Sequence, residues 1–169
     1  MFNTLMETIH SAFADVRRGE GISLHEAIAI DDYHPLAAQQ AARAKDTDTH
    51  WQDVPCDTIW RCESALSFLD ADGFRYYLPA FMCCGLRALE ADDGRGNLLI
   101  DTCQFHLLHE PQTSLRHAQP ANIAGHYEFS AAQCEVISQF LAATTLDDDV
   151  PTLEAVTAWR VFADSLNKL

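Results

Sequence analysis

Three side chains of the kinds that bind metal ions stand three residues apart near the middle of the chain. They are Cys103, His106 and His109, and His117 and His126 follow them. A thiolate together with imidazoles is a ligand set that Zn²⁺ selects. On a helix the first three would share one side, whereas on a strand His106 would face away from the other two. Because the spacing is no established site pattern, a metal protein or enzyme built on them is our alternative hypothesis, and we predict no metal and no cofactor.

A second candidate is the sequence Asp70-Ala-Asp-Gly73, which is similar to the opening of a calcium-binding loop. Such a loop needs a further oxygen ligand at the next alternate position, where this chain has Phe74. Aspartate favours the start of a turn and glycine favours its left-handed position. We therefore interpret these residues as a turn.

A nucleophilic cysteine is the third kind of chemistry considered. It would need a lowered pKa and a nearby base, but Cys83 and Cys84 stand among apolar residues after Pro79. No nucleophile elbow, phosphate-binding loop or dinucleotide fingerprint occurs, and His25-Glu26 lacks the second histidine of a zinc protease. We therefore expect no catalytic residues and predict that the protein is not an enzyme.

The elements at the N-terminal end are predicted to be helical. Apolar residues at spacings of three and four predict a first helix over residues 2–18. Ser23 followed by Glu26 is typical of a capping box that starts a second helix. An alanine-rich third helix is predicted over residues 36–45, and the polar residues 46–49 that follow it are the best candidate for a linker.

The middle of the chain predicts a small sheet. Residues 65–69 and 74–78 are short β-prone runs on either side of the turn, so we predict a β-hairpin at residues 65–78. Pro79 would open a helix that continues to about Ala91. Residues 98–108 fit a strand or a helix, and we favour a third strand because a hairpin alone is marginal in water. The predicted fold class is α+β: a mostly helical domain with a small antiparallel sheet built on this hairpin.

The C-terminal end is again predicted to be helical after a loop at residues 110–123. Ser130 is expected to cap one helix, and Pro151 to open the last. We predict a single domain over residues 1–169, with an N-terminal helical part at 1–45 and the hairpin and C-terminal helices at 50–169.

One stretch of the sequence resembles a known family. It is the run ALSFLDADGFRYYLPA at residues 65–80, which Trp51 and Ile59 precede and a helix start at residues 129–133 follows. The chain resembles a bacterial domain family of unknown function over about residues 50–145. The resemblance implies no activity, cofactor or catalytic residue.

The net charge and the lack of export or membrane signals predict the classes of partner and the compartment. The 25 acidic and 11 basic side chains give a net charge of −14, which disfavours nucleic acid and anionic membranes as partners. The sequence has neither an apparent secretory signal nor an apolar run of membrane-spanning length, so we predict a cytoplasmic protein whose six cysteines are reduced.

The function predicted from this charge is that of a small acidic binding protein that neutralises or escorts a basic protein partner. An immunity protein against a cationic nuclease toxin is the concrete version of that hypothesis. The predicted partner-binding residues are the local concentrations of negative charge, and the oligomeric state is left open. These residues are Asp70, Asp72, Asp92, Asp93, Asp147, Asp148 and Asp149.

Overall fold

The computed structural model describes residues 1–110, 113–117, 119–145 and 150–168. Two 3-10 helices, Trp51–Asp53 and Glu63–Ser67, accompany the longer elements. The α-helices of the described ranges are α1 (Asn3–Ala12), α2 (Leu24–Asp31), α3 (Leu36–Arg43), α4 (Cys56–Arg61), α5 (Ala71–Glu90), α6 (Arg95–Leu108), α7 (Pro120–Tyr127), α8 (Ala131–Thr144) and α9 (Val150–Leu166).

The architecture is helical, and the predicted α+β fold with a hairpin at residues 65–78 is wrong. Those residues form the end of a 3-10 helix and the first half of α5. Asp70 does not start a turn between strands: its carboxylate caps α5 by accepting a hydrogen bond from the backbone N–H of Gly73 at 2.9 Å. The aromatic residues that follow, Phe74, Tyr76, Tyr77 and Phe81, are fully buried.

The predicted third strand at residues 98–108 is also wrong, because this segment belongs to α6. Leu99, Cys103 and Leu107 are fully or almost fully buried, and their spacing of four is that of one helix face. Two short strands, β1 (His109–Glu110) and β2 (Thr113–His117), pair antiparallel outside the predicted hairpin. The loop predicted at residues 110–123 therefore contains β2 and the start of α7.

Several helix starts are confirmed. Glu26 accepts a hydrogen bond from the backbone N–H of Ser23 at 3.1 Å at the start of α2. At the start of α8, Ser130 and Gln133 exchange the reciprocal hydrogen bonds of a capping box. The first helix is shorter than predicted: α1 ends at Ala12, whereas the prediction extends to residue 18.

Contacts between Cα atoms group the chain into two compact units, which we call the central unit (residues 14–103) and the terminal unit (residues 1–13 and 104–169). In the central unit, 14 of the 20 residues of α5 are buried, so this helix is the core element. In the terminal unit α8 packs against α9, and the indole N–H of Trp159 donates to the carbonyl of Leu107 at 3.1 Å. The predicted single domain stays a prediction.

The prediction that all six cysteines are reduced is wrong for two of them. Cys56, at the start of α4, forms a disulfide with Cys84 in α5. The other four cysteines are buried free thiols. None of the described helices combines the length and apolar character needed to cross a membrane.

Candidate functional site

The structure uses three of the predicted partner-binding carboxylates in contacts within the chain. Asp70 caps α5, Asp72 pairs with Arg75 at 2.7 Å, and Asp93 pairs with Arg95 at 2.6 Å. The hydrogen bonds from Arg95 lower the pKa of Asp93.

Arg95 is itself held on its other side, since its guanidinium lies 3.6 Å from the centre of the Trp60 ring. The neighbouring Asp92 is exposed and has a left-handed backbone, with φ of 52°. Asp147, Asp148 and Asp149 lie outside the described residues. The acidic clusters therefore stay predictions as partner-binding sites.

The alternative metal ligands are not assembled as the sequence suggested. Cys103 and His106 are on α6, whereas His109 begins β1. Cys103 is completely buried, and burial raises the pKa of its thiol, which disfavours the thiolate that a metal ion needs. Among the described side chains, no three His, Cys, Asp or Glu residues could together hold a metal ion.

A different group of side chains forms the candidate site, and it is organised by Asp46. This carboxylate is almost fully buried, with a side-chain exposure of 3%. It accepts hydrogen bonds from the backbone N–H of His25 at 2.9 Å and from the Nδ1 of the same residue at 2.6 Å. A carboxylate can only accept here, so Nδ1 carries the hydrogen and, in the neutral ring, Nε2 is the acceptor.

Asp48 is held by two consecutive tyrosines of α5. The hydroxyl of Tyr76 donates to its Oδ2 at 2.9 Å, and the hydroxyl of Tyr77 lies 3.4 Å from the same oxygen. Burial is the main cause of the raised pKa of each phenol, so both remain hydrogen-bond donors. Residues 46–49, predicted to be a linker, are therefore anchored to the central unit by two carboxylates.

These two aspartates line an open groove of about 440 Å³ together with Asp53, His25 and Lys45. We call it the acidic groove; its remaining wall is formed by Thr47, Thr49 and residues 54, 55 and 58. The Asp53 side chain is 68% exposed, and its Oδ2 lies 3.6 Å from Nδ1 of the exposed His50. The groove thus combines two fixed carboxylates with one that is free to reorient.

Sequence reasoning missed this site because its members are brought together by contacts between distant residues. Asp46 meets a histidine 21 positions earlier, and Asp48 meets tyrosines 28 and 29 positions later. The alternation of aspartate and threonine at residues 46–49 is equally typical of a solvated loop.

Comparison with known proteins gives a family but no activity. A protein-family model described as a family of unknown function, DUF6714, matches residues 1–163. This confirms the resemblance to a family of unknown function and extends it well beyond residues 50–145. No curated protein and no solved structure matches the chain.

Proposed function

The chain belongs to the DUF6714 family of unknown function, and we propose that it is an acidic binding protein whose acidic groove receives a basic side chain of a protein partner. The observation that carries the proposal is the convergence of Asp46, Asp48 and Asp53 on one groove.

The chemistry of the groove suits an ammonium or guanidinium group. A carboxylate offers about four acceptor positions, and the tyrosine hydroxyls occupy at most two of those on Asp48. Among the described residues, the Asp53 side chain has only a long contact with His50, so it can turn toward a ligand. Three carboxylates line the groove beside Lys45 and the His25 ring, so the balance of the lining charge favours a cation.

The charge around the groove has the same sign. Residues 14–103 contain 16 acidic and 8 basic side chains, a net charge of −8. A field of this sign speeds the approach of a cationic protein, and the acidic groove would then hold one of its side chains in place. The exposed Asp92 would contribute to this approach rather than to the contact itself.

An immunity protein of bacterial origin that neutralises a basic toxin in the cytoplasm is one form of such a binding protein, by analogy with small acidic inhibitors. The Cys56–Cys84 disulfide argues against a reducing compartment, in which such bonds are rare. Alkylation of thiols in intact cells, followed by mass spectrometry, would show whether this bond exists there.

The binding role can be tested with a defined probe. We would titrate a capped peptide with three arginines spaced by glycine and serine, and follow backbone amide signals by NMR. Signals of residues 45–58 should shift in a saturable way, and the same peptide with glutamine in place of arginine should leave them unchanged. Binding should weaken with added salt, because the attraction is electrostatic.

A pair of variants separates the groove from general charge. Asp53→Asn should weaken binding about tenfold, since a charged hydrogen bond contributes about 1.5 kcal/mol and 1.4 kcal/mol is a factor of ten. Asp15→Asn removes the same charge from an exposed residue of the central unit outside the groove and should have little effect. Equal weakening in both variants, or no saturable binding at all, would refute the assignment.

A further inference from the structure

A second groove of the central unit has the opposite character. It lies between α2, α3 and α4 and has a volume of about 530 Å³. Its floor is apolar, with Ile28 and Ala29 from α2 and Ala38, Ala41 and Ala42 from α3; the four alanines leave space that larger side chains would fill. We call it the alanine groove. Its volume falls within the range of about 300–1,000 Å³ that is usual for small-molecule sites.

Basic side chains surround this apolar floor. Lys45 and Arg61 are cationic side chains, His25 and His34 add imidazole rings, and Asp32 is the single carboxylate among the described lining residues. Such a lining opposes the net charge of −8 of the surrounding unit. Only two lysines occur in the whole chain, and one of them is here.

Two of these cations act on the same lining residue. Cys62 lines the groove as a buried thiol whose pKa is raised to about 11, chiefly by burial and also by the negative charge of Asp46. Arg61 and Lys45 both oppose that rise, so both positive charges lie close enough to act on one sulfur atom. Asp46 accepts two hydrogen bonds from His25 and, among the described ion pairs, pairs with neither cation.

We propose that the alanine groove binds a small organic monocarboxylate, with its hydrocarbon part on the alanine floor and its carboxylate between Lys45 and Arg61. The planar guanidinium of Arg61 suits a carboxylate because it can donate two parallel hydrogen bonds. A polyanion would meet the negative charge of the whole unit, whereas a single negative charge can be matched by the local cations. This site is separate from the proposed protein-binding function, although the two grooves share His25 and Lys45.

The probe for this site is octanoate, measured by isothermal titration calorimetry at fixed ionic strength. Octanoate should bind saturably, and 1-octanol, which has the same chain length and no charge, should bind at least tenfold more weakly. Arg61→Gln should lower the affinity for octanoate at least tenfold, since the parallel charge-assisted hydrogen bonds of the guanidinium are lost. Arg17→Gln removes a cation that is exposed and does not line the groove, so it should leave the affinity unchanged.

The shape of the alanine groove is tested by substituting an uncharged lining residue. Ala41→Leu places a larger side chain on the floor from an exposed position of α3, so it should abolish binding while the thermal midpoint remains that of the wild type. If Ala41→Leu lowers the thermal midpoint, Ala38→Met provides the same test from the neighbouring turn.

The two binding proposals can be refuted independently of each other. Asp53 lines only the acidic groove, so Asp53→Asn should not reduce octanoate affinity, whatever it does to the arginine peptide. Absence of saturable octanoate binding, equal binding of 1-octanol, or an affinity that is insensitive to both Arg61→Gln and the floor variant would overturn the proposal.

Discussion

Nδ1 of His25 lies 2.6 Å from Oδ1 of Asp46, and the other oxygen of the same carboxylate accepts the backbone N–H of His25 at 2.9 Å. One buried side chain thereby satisfies a free amide at the start of α2 and fixes a ring that lines both grooves. The same residue positions the site and stabilises the fold.

Asp46→Asn should lower the free energy of unfolding by about 1–3 kcal/mol, because a buried charged acceptor of two hydrogen bonds becomes a neutral amide with one acceptor atom. Urea denaturation monitored by circular dichroism measures the change. Asp53→Asn, which alters an exposed carboxylate of the same segment, is the control and should retain wild-type stability. Equal stability of the two variants would show that the pair is not structural.

The disulfide should contribute measurably to stability. Cys56 and Cys84 are separated by 28 positions, and the loop-closure relation for such a loop gives about 3.5 kcal/mol. A reductant should therefore lower the thermal midpoint of the wild type. In a variant carrying Cys56→Ser and Cys84→Ser the midpoint should already be low and should not respond to reductant. A wild-type midpoint that ignores reductant under unfolding conditions would contradict this expectation.

Gly73→Ala should destabilise the protein although alanine is the better helix former. An added Cβ would lie 2.4 Å from the carbonyl oxygen of Ile22, so backbone would have to move. We expect a loss of about 1–3 kcal/mol. Gly125→Ala in α7 is the matched control, because nothing lies within 4 Å of its added Cβ, and it should stabilise by about 0.5–1 kcal/mol. Opposite signs in urea denaturation are the expected result.

Stability should fall at alkaline pH. Burial raises the pKa of Cys62 to about 11 and of Cys83, Cys134 and Tyr127 to about 12, above the ordinary values of 9.0 and 10.0. The folded state therefore holds protons that the unfolded chain releases, so their stabilisation is complete below about pH 9 and is lost as the pH rises toward 12. Urea denaturation across this range should show the decline, and Cys62→Ala should make it shallower. A flat profile would contradict the burial of these groups.

Local signals predicted the helix starts better than they predicted the fold. The cap at Ser130 depends on side chains within four residues, and such patterns can be seen in a sequence. Helix α5 is missed because its first turns contain a run of buried aromatic residues, and that composition is equally typical of a strand. The hairpin predicted from this run is therefore wrong.

The candidate site was beyond prediction for a different reason. The sequence predicts a linker at Asp46 and Asp48, because polar residues that follow a helix are typical of a linker. Their roles depend on His25 and on the tyrosines of α5, which are neighbours only after folding. The disulfide could not be predicted either, since nothing in the spacing of Cys56 and Cys84 distinguishes them from the four free thiols.

The contact at the start of α5 constrains how this family can vary. Oδ1 of Asp70 accepts N–H groups from both Gly73 and Ile22, and a Cβ on Gly21 would lie 2.6 Å from the nitrogen of Gly73. Two segments separated by about fifty positions thus approach so closely that neither can gain a side chain alone. Homologous sequences should therefore keep Gly21, Asp70 and Gly73 together or lose them together, and aligned positions that vary independently would mark members whose α5 begins differently.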